Sequence, residues 1–360
     1  MVVPDAVQSD FCERLLSWFD RCGRKNLPWQ RDITPYRVWI SEIMLQQTRV
    51  ETVIAYYQRF LQRFSTVADL AAASEDEVLH HWTGLGYYAR ARNLHKAAYV
   101  VQNTLHGEFP DTLEGLMRLP GIGRSTAAAI LTLAMGKRAA ILDGNVRRLL
   151  ARFHEIEGWS GQASVQKKLW DLAEQHLPAE RLADYTQAIM DLGATVCHRK
   201  RPDCAACPVG DGCRAFATGR TDELPTPKPR RRLPIRAVHL LLLENPEGEF
   251  LLERRPSQGI WGGLWSFPEC RADEVTTCCI SLGVSPESIE ATTRHEPFRH
   301  TFTHFHLDIT PVHVKLQKAP SLITESGQRY WYDPGHPAQI GLAAPVVRLI
   351  NSYTRGATET

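Results

Sequence analysis

The sequence predicts two domains of different class: a mainly α N-terminal domain over residues 1–221 and an α+β domain over residues 237–352, joined by a Pro/Arg-rich linker at 222–236. Three observations carry this. From about residue 10 to 215 the apolar side chains recur at helical spacing, and few stretches alternate with period two. Leu224-Pro225-Thr226-Pro227-Lys228-Pro229 then resists packing. Beyond Arg236 the chain turns to strand-like runs, with Gly259, Gly262 and Gly263 marking turns. At 360 residues it is too long for one typical core.

Thr34-Pro35 offers an N-cap hydroxyl followed by proline at the first helical position, so a helix opens there. It carries Val38, Trp39, Ile43, Leu45, Val50, Val53 and Ile54, with Glu42 among them. Further helices are expected at Thr66–His81, Tyr88–His106, Leu113–Leu119, Arg124–Met135, Val146–Phe153, Ser164–Leu177 and Leu182–Leu192. In the second domain, strands are expected at Ala237–Leu243, Phe250–Glu253, Phe305–Val314 and Arg329–Tyr332.

Formal net charge is only +2, so the molecule as a whole is not a polycation. Its basic residues are nevertheless gathered into Arg199-Lys200-Arg201 and into Lys228, Arg230, Arg231, Arg232 and Arg236, which suits one face on phosphates or, for the second run, a solvated linker. Residues 1–10 contain acids and no apolar core, so no signal peptide is expected. The absence of a long apolar run argues against a membrane span. A cytoplasmic chain is expected, and its nine cysteines then read as reduced thiols.

Cys197, Cys204, Cys207 and Cys213 follow the pattern C-x6-C-x2-C-x5-C, with His198, Arg199, Lys200 and Arg201 in the first interval. Four thiolates this close suit a [4Fe–4S] cluster or a tetrahedral zinc. Zinc sites more often use two C-x2-C pairs, whereas this chain has one, and disulfides would need an exporting context. The iron–sulfur reading is favoured. Cys12, Cys22, Cys270, Cys278 and Cys279 lack ligand spacing.

Leu119-Pro120-Gly121-Ile122-Gly123-Arg124-Ser125 lies between two helical segments. Pro120 stops the first helix, and the glycines at 121 and 123 permit a tight hairpin with positive φ. Free N–H groups at the next helix start would suit a phosphate oxygen, gripping a nucleic-acid backbone without reading bases; a plain helix–turn–helix corner is the alternative.

This hairpin, the aspartate some 20 residues on and the cysteine quartet resemble the helix–hairpin–helix DNA glycosylases of the endonuclease III superfamily. Within it, Trp39–Thr48, Gly84–Arg90 and Ile141–Val146 are similar to the MutY family of adenine glycosylases, and Phe298–His306 resembles that family's lesion-sensing loop. The similarity runs from about residue 10 to 350. It implies a helix–hairpin–helix glycosylase domain with an iron–sulfur module and a nudix-like second domain. It also implies a [4Fe–4S] cofactor, and a monomer acting at the bacterial nucleoid on double-stranded DNA with A:8-oxoguanine or A:G mispairs.

Excising adenine requires a proton on the leaving base and a carboxylate beside the cationic sugar. Glu42 shares a helical face with Val38 and Leu45; a desolvated face would raise its pKa, an exposed one would not. Asp143, before Gly144-Asn145, reads as an N-cap kept ionised by N–H groups and the helix dipole. The resemblance implies that Glu42 protonates adenine at N7, that Asp143 stabilises the sugar cation and that Asn145 assists. Ser125 stands where strand-cleaving relatives hold a lysine. A hydroxyl cannot form a Schiff base, so a monofunctional enzyme is expected.

The resemblance also assigns Gln47 and Tyr87 as duplex wedges beside a flipped-out base, and Gly121, Gly123 and Ser125 to DNA contact. Trp29 and Gln187 fall in the adenine pocket. Phe302, Thr303 and His304 are assigned to the opposing 8-oxoguanine, whose N7 carries a hydrogen where guanine has a lone pair. Leu251–Arg255 and Trp261–Pro268 resemble nudix hydrolases. After Pro268, however, only Glu269 and Glu274 remain of the glutamates a nudix helix needs for Mg²⁺, so binding without hydrolysis is expected.

Overall fold

A computed structural model describes residues 5–229, 232–271, 274–320 and 328–356. Of the second basic run, Arg230 and Arg231 lie outside the described residues. The chain divides into two compact units: residues 1–72 with 93–230, and residues 73–92 with 231–360. The sequence suggested a division only at the linker. The structure differs by placing the 20-residue segment 73–92 with the C-terminal unit.

The first unit is helical: α1 (Asp5–Cys22), α2 (Pro35–Leu45), α3 (Val50–Arg63), α4 (Val67–Ala72), most of α6 (Ala89–Asn103), α7 (Leu113–Met117), α8 (Arg124–Ala129), α9 (Gly144–Phe153), α10 (Ala163–Gln175), α11 (Leu182–Thr195) and α12 (Arg214–Ala217). α5 (Glu75–Trp82) belongs to the second unit. The expected cap of α2 forms: Thr34 Oγ1 accepts from Arg37 N at 3.2 Å, with Pro35 following it. The helix expected to run on to Ile54 instead breaks after Leu45, where Gln47 adopts φ +58°. The break separates α2 from α3 and leaves Gln47 exposed. Similarly, Ser74 caps α5 by accepting from Glu77 N, splitting the segment read as one helix from Thr66 to His81. α8 continues as a π-turn over Ile130–Ala134, which widens the coil where Leu133 faces the cleft described below. α1, α9, α10 and α11 share a core built on Phe11, Leu15, Leu149, Leu169, Ile189 and Leu192.

The second unit holds a sheet of β1 (Ile235–Glu244), β2 (Phe250–Arg254), β3 (Trp265–Ser266), β4 (Glu269–Cys270), β5 (Ile289–Arg294), β6 (Phe298–Thr301), β7 (His306–Leu316) and β8 (Arg329–Tyr332). Its main path is β3-β2-β1-β7-β5; β4 pairs with β1, β6 with β7 and β8 with β2. β1 and β7 run parallel in register from Ile235↔His306 to Glu244↔Lys315. α13 (Val275–Ser281) and α14 (Ala344–Gly356) complete it. Four of these strands were not anticipated: β3 and β4 are too short for a period-two signal, and β5 is mostly exposed. β6 occupies the first part of the segment read as a loop. Phe302 N then donates to Phe305 O at 2.9 Å, so residues 302–305 form the hairpin turn into β7.

Candidate functional site: a carboxylate cleft beside a cysteine cavity

The first unit contains a cleft of about 940 Å³. Glu42 from α2 and Asp143 with Asn145 from the start of α9 line it, as do Trp29, Gln47, Ser125 and Gln187. Residues separated by up to 158 positions along the chain thus meet at one opening.

The two carboxyl groups sit in unequal surroundings. Burial, and secondarily the charge of Asp143, push Glu42 from its ordinary 4.5 up to about 8. Asp143 is also raised by burial, contrary to the simple expectation for an N-cap. Several interactions oppose that rise: its Oδ1 accepts from Val146 N at 2.8 Å and Asn145 N at 3.0 Å, and Arg148 and Arg147 stand nearby. No comparable stabilisation of ionised Glu42 acts against its burial. Asp143 is therefore the carboxyl that ionises first and Glu42 the one that keeps its proton.

Polar groups on the cleft wall are fixed by a buried carboxylate that the sequence did not reveal. Asp191, its side chain 0% exposed, accepts from Arg24 Nη2 at 2.6 Å, from Arg24 N at 2.8 Å and from Gln187 Nε2 at 2.8 Å. This assigns the Gln187 amide: its nitrogen faces Asp191, leaving its oxygen as the acceptor. Trp29 is buried, edge-on to Tyr57 with ring centroids 5.6 Å apart. Gly193, about one turn beyond Met190, packs against α9: a Cβ there would lie 2.6 Å from Asn145 Cβ. Neither Arg24 nor Gly193 belongs to a local motif, so only tertiary packing could identify them.

The hairpin forms, with one correction. Gly121 takes φ +77°, and a Cβ there would lie 2.7 Å from Asn93 Cβ, so this position needs glycine. Gly123 is extended at φ −88°, with open space where a Cβ would be; it caps α8 without requiring glycine's left-handed freedom. Ser125 does not cap the helix. Its Oγ accepts from Leu142 N at 3.3 Å, tying the hairpin to the residue before Asp143.

Cys197, Cys204, Cys207 and Cys213 line a separate cavity. Among the described residues no group of three or more His, Cys, Asp or Glu is placed to hold a single metal ion. The four cysteines nevertheless border the same cavity, together with Leu149, Arg152, Phe153 and Val209. Burial raises Cys204, Cys207 and Cys213, with Cys207 pushed up to about 12. Arg152, 2% exposed, donates to Cys197 Sγ at 3.3 Å and to Leu224 O at 2.8 Å. One turn earlier, Arg148 donates to Cys197 O at 2.8 Å, to Gly193 O at 2.6 Å and to Asn145 Oδ1 at 2.9 Å. The loop's own basic residues attracted notice in the sequence; these two arginines on α9 did not.

The second unit holds the remaining predicted residues. Tyr87 is 48% exposed at φ +49°, in a turn with Gly84 and Gly86 also at positive φ. Phe302 is half-buried, and Thr303 and His304 are exposed at the β6–β7 turn. Phe302 stacks on Phe305 at 4.6 Å. The glutamates after Pro268 are occupied: Glu269 pairs with Arg255 at 2.5 Å and Glu274 with Arg271 at 3.7 Å, while α13 carries no carboxylate.

Comparison with known proteins agrees across both units. The HhH-GPD superfamily of base excision DNA repair proteins matches residues 40–175, and the NUDIX domain family matches residues 239–352. An adenine DNA glycosylase of Buchnera aphidicola is 36% identical over 345 residues, covering 96% of this chain and 98% of the relative. The Homo sapiens adenine DNA glycosylase is 38% identical over 307 residues, covering 71% of this chain and 56% of its own. Among solved structures, a thermostable thymine-DNA glycosylase is 28% identical with TM-score 0.53, covering 59% of this chain and 98% of its own. An endonuclease III–DNA complex has 21% identity and TM-score 0.52, covering 61% of this chain and 99% of its own, and so shares the fold.

Proposed function

The chain belongs to the adenine DNA glycosylases, enzymes of base excision repair, and from that premise we propose that it removes adenine paired with 8-oxoguanine, or with guanine, from duplex DNA. The reaction leaves an abasic site. The observation that carries this reading is the unequal pair of carboxyl groups on one cleft wall: Glu42 held protonated to about pH 8 and Asp143 held by two N–H groups.

The target adenine turns out of the duplex into the cleft. Trp29 offers an aromatic wall, and the Gln187 amide oxygen, oriented by Asp191, accepts from the exocyclic amine of adenine. Protonated Glu42 donates to N7, so the base leaves neutral rather than as an anion. Positive charge develops on the sugar as the bond breaks, and ionised Asp143 stabilises it. Asn145, held by Arg148, presents its amide beside that charge. Water completes the hydrolysis. Ser125 has no amine to attack the sugar, and its Oγ is engaged with Leu142 N, so the strand stays intact.

Gln47, exposed at φ +58°, and Tyr87 enter the duplex where the adenine leaves. Gly121, Gly123 and Ser125 bring the hairpin to the phosphate backbone. The Thr303 hydroxyl, flanked by Phe302 and His304, reads the N7 edge of the opposing base. The nudix-like domain binds without hydrolysing. Cys197, Cys204, Cys207 and Cys213 would hold the [4Fe–4S] cluster, which when bound would tie the basic loop to a rigid core.

The deciding assay uses end-labelled duplexes carrying A opposite 8-oxoguanine, A opposite T, and thymine glycol, each with and without hot alkali. Cleavage of the A strand opposite 8-oxoguanine only after alkali is expected. Cleavage without alkali, or of the thymine-glycol strand, would overturn the reading.

A further inference from the structure

The segment 73–92 folds with the C-terminal domain, and its contacts are specific. The Tyr88 hydroxyl accepts from Gly84 N at 3.3 Å and donates to Leu342 O at 3.1 Å. One phenol therefore closes the turn that displays Tyr87 and also pins it to the second domain. Leu342 pairs with Trp265 in an isolated bridge, and Trp265 N donates to Gly341 O at 2.8 Å. Four residues further along α6, Arg92 Nη1 donates to Gly262 O. On α5, Asp76 meets Arg254 at 3.2 Å and His80 Nδ1 lies 3.4 Å from Ile340 O.

The turn receiving Arg92 also reaches the recognition hairpin. Trp261, at φ +55° immediately before Gly262, places its ring 5.7 Å from His300 and 5.6 Å from Phe302. A continuous set of contacts thus runs from Phe302 through Trp261 and Gly262 to Arg92, and in parallel from Trp265 through Leu342 to Tyr88. The Tyr87 turn is stiff at its other end. Trp82 Nε1 donates to Gly86 O at 3.1 Å, and Arg90 donates to Gly86 O at 3.0 Å while lying over the Tyr87 ring at 5.6 Å.

We propose that Tyr88, Arg92 and Trp261 are positioning residues for opposite-base recognition: they fix the Tyr87 turn and the 302–305 turn as one rigid reader. The inference rests on the reading that Tyr87 and Thr303 both address the base opposite adenine. Two probes on separate loops discriminate well only if their spacing is constant, because a loose pair loses affinity to the ordering it must undergo on binding. The nudix-like Trp261–Trp265 segment, which has no catalytic glutamates to serve, supplies that constancy.

The test measures single-turnover excision by the full chain on A:8-oxoguanine and A:G duplexes, giving a preference ratio, and the dissociation constant of each duplex. Tyr88→Phe, Arg92→Met and Trp261→Leu should each lower the ratio about fivefold to tenfold, as expected for one lost hydrogen bond or ring contact. A merely structural role would lower both rates together and leave the ratio fixed. In a double-mutant cycle, Tyr88→Phe and Thr303→Ala should combine less than additively, since each disables the same reader. Unchanged ratios, or strict additivity, alongside a lowered ratio in Tyr87→Ala and Thr303→Ala would overturn the coupling alone. Unchanged ratios in Tyr87→Ala and Thr303→Ala would overturn the recognition reading and the coupling with it. If Tyr88→Phe melts early, Trp261→Leu decides from the opposite side of the contact.

Discussion

Arg148 reaches Cys197: its Nε donates to the Cys197 carbonyl oxygen at 2.8 Å while its Nη2 donates to Asn145 Oδ1 at 2.9 Å. The cysteine loop and the residue two places after Asp143 therefore share one guanidinium. Arg152, one helical turn on, repeats the tie through Cys197 Sγ and His198 O. The basic loop and the Asp143 end of α9 are held by the same helix face.

Replacing Arg148 by Met keeps the apolar stem and removes both donors. Asn145 then loses its orienting partner, and the excision rate at saturating enzyme should fall about tenfold to a hundredfold, the range for outer-shell partners of a tuned site. Single-turnover kinetics with a parallel binding measurement check this: the rate should fall more than the affinity. An equal loss in both would place Arg148 in DNA binding instead.

As the proposed acid, Glu42 should make excision depend on pH. Its folded pKa lies at about 8, above its ordinary 4.5, through burial first and Asp143 second. The acid is loaded below that value, so the single-turnover rate should fall as pH rises through about 8. Stability follows the same sign. Between 4.5 and about 8 the folded state binds a proton that the unfolded chain has released, so this group's contribution is present at low pH and is lost as pH rises. Glu42→Gln should abolish excision, retain DNA binding and flatten the decline in melting temperature between pH 6 and 8 by about the linkage of one proton.

Gly193→Ala tests how closely α11 packs on the site. The added methyl would lie 2.6 Å from Asn145 Cβ and 3.0 Å from its backbone C and O. Backbone cannot rotate away as a side-chain tip can, so α9 must shift at its Asp143 end. Overpacking of this kind costs about 1–3 kcal/mol. Thermal melting should report that loss, and excision should drop further than stability alone explains. Unchanged excision would mean that the Asn145 position is not critical.

The sequence made the candidate site's local structure legible where local patterns specify it. Asp143 forms the cap that Asp-Gly-Asn announces, Thr34-Pro35 opens α2, and the four cysteines line one cavity. It was silent where tertiary contact decides. The break at Gln47 contains no glycine or proline, so helical periodicity ran through it. Gly123 looked like a second left-handed glycine because the hairpin pattern is symmetric, although only Gly121 meets a neighbour. Segment 73–92 is helical like its surroundings, so nothing in its composition marks it as part of the C-terminal unit. Burial likewise outweighed the N-cap at Asp143, and burial is not written in a local pattern.

Asp191 should prove necessary to the cleft although it sits behind the wall. It accepts three hydrogen bonds from Arg24, through N at 2.8 Å, Nε at 2.9 Å and Nη2 at 2.6 Å, and one from Gln187 Nε2 at 2.8 Å. Asp191→Asn replaces one acceptor oxygen with a donor pointing at donors. Either Arg24 withdraws toward water, which its 28% side-chain exposure permits, or the Gln187 amide turns over. In the proposed adenine pose, turning Gln187 would present an N–H to the exocyclic amine, replacing an attraction with a clash of donors. Breaking a fully buried pair costs about 3–5 kcal/mol, and the partial exposure of Arg24 should keep the stability loss below that range. The larger effect should fall on substrate: excision at limiting enzyme should drop about tenfold to a hundredfold. A purine lacking the exocyclic amine should lose much less, because it never used the acceptor. Equal losses for adenine and that analogue would show that Asp191 only supports the fold.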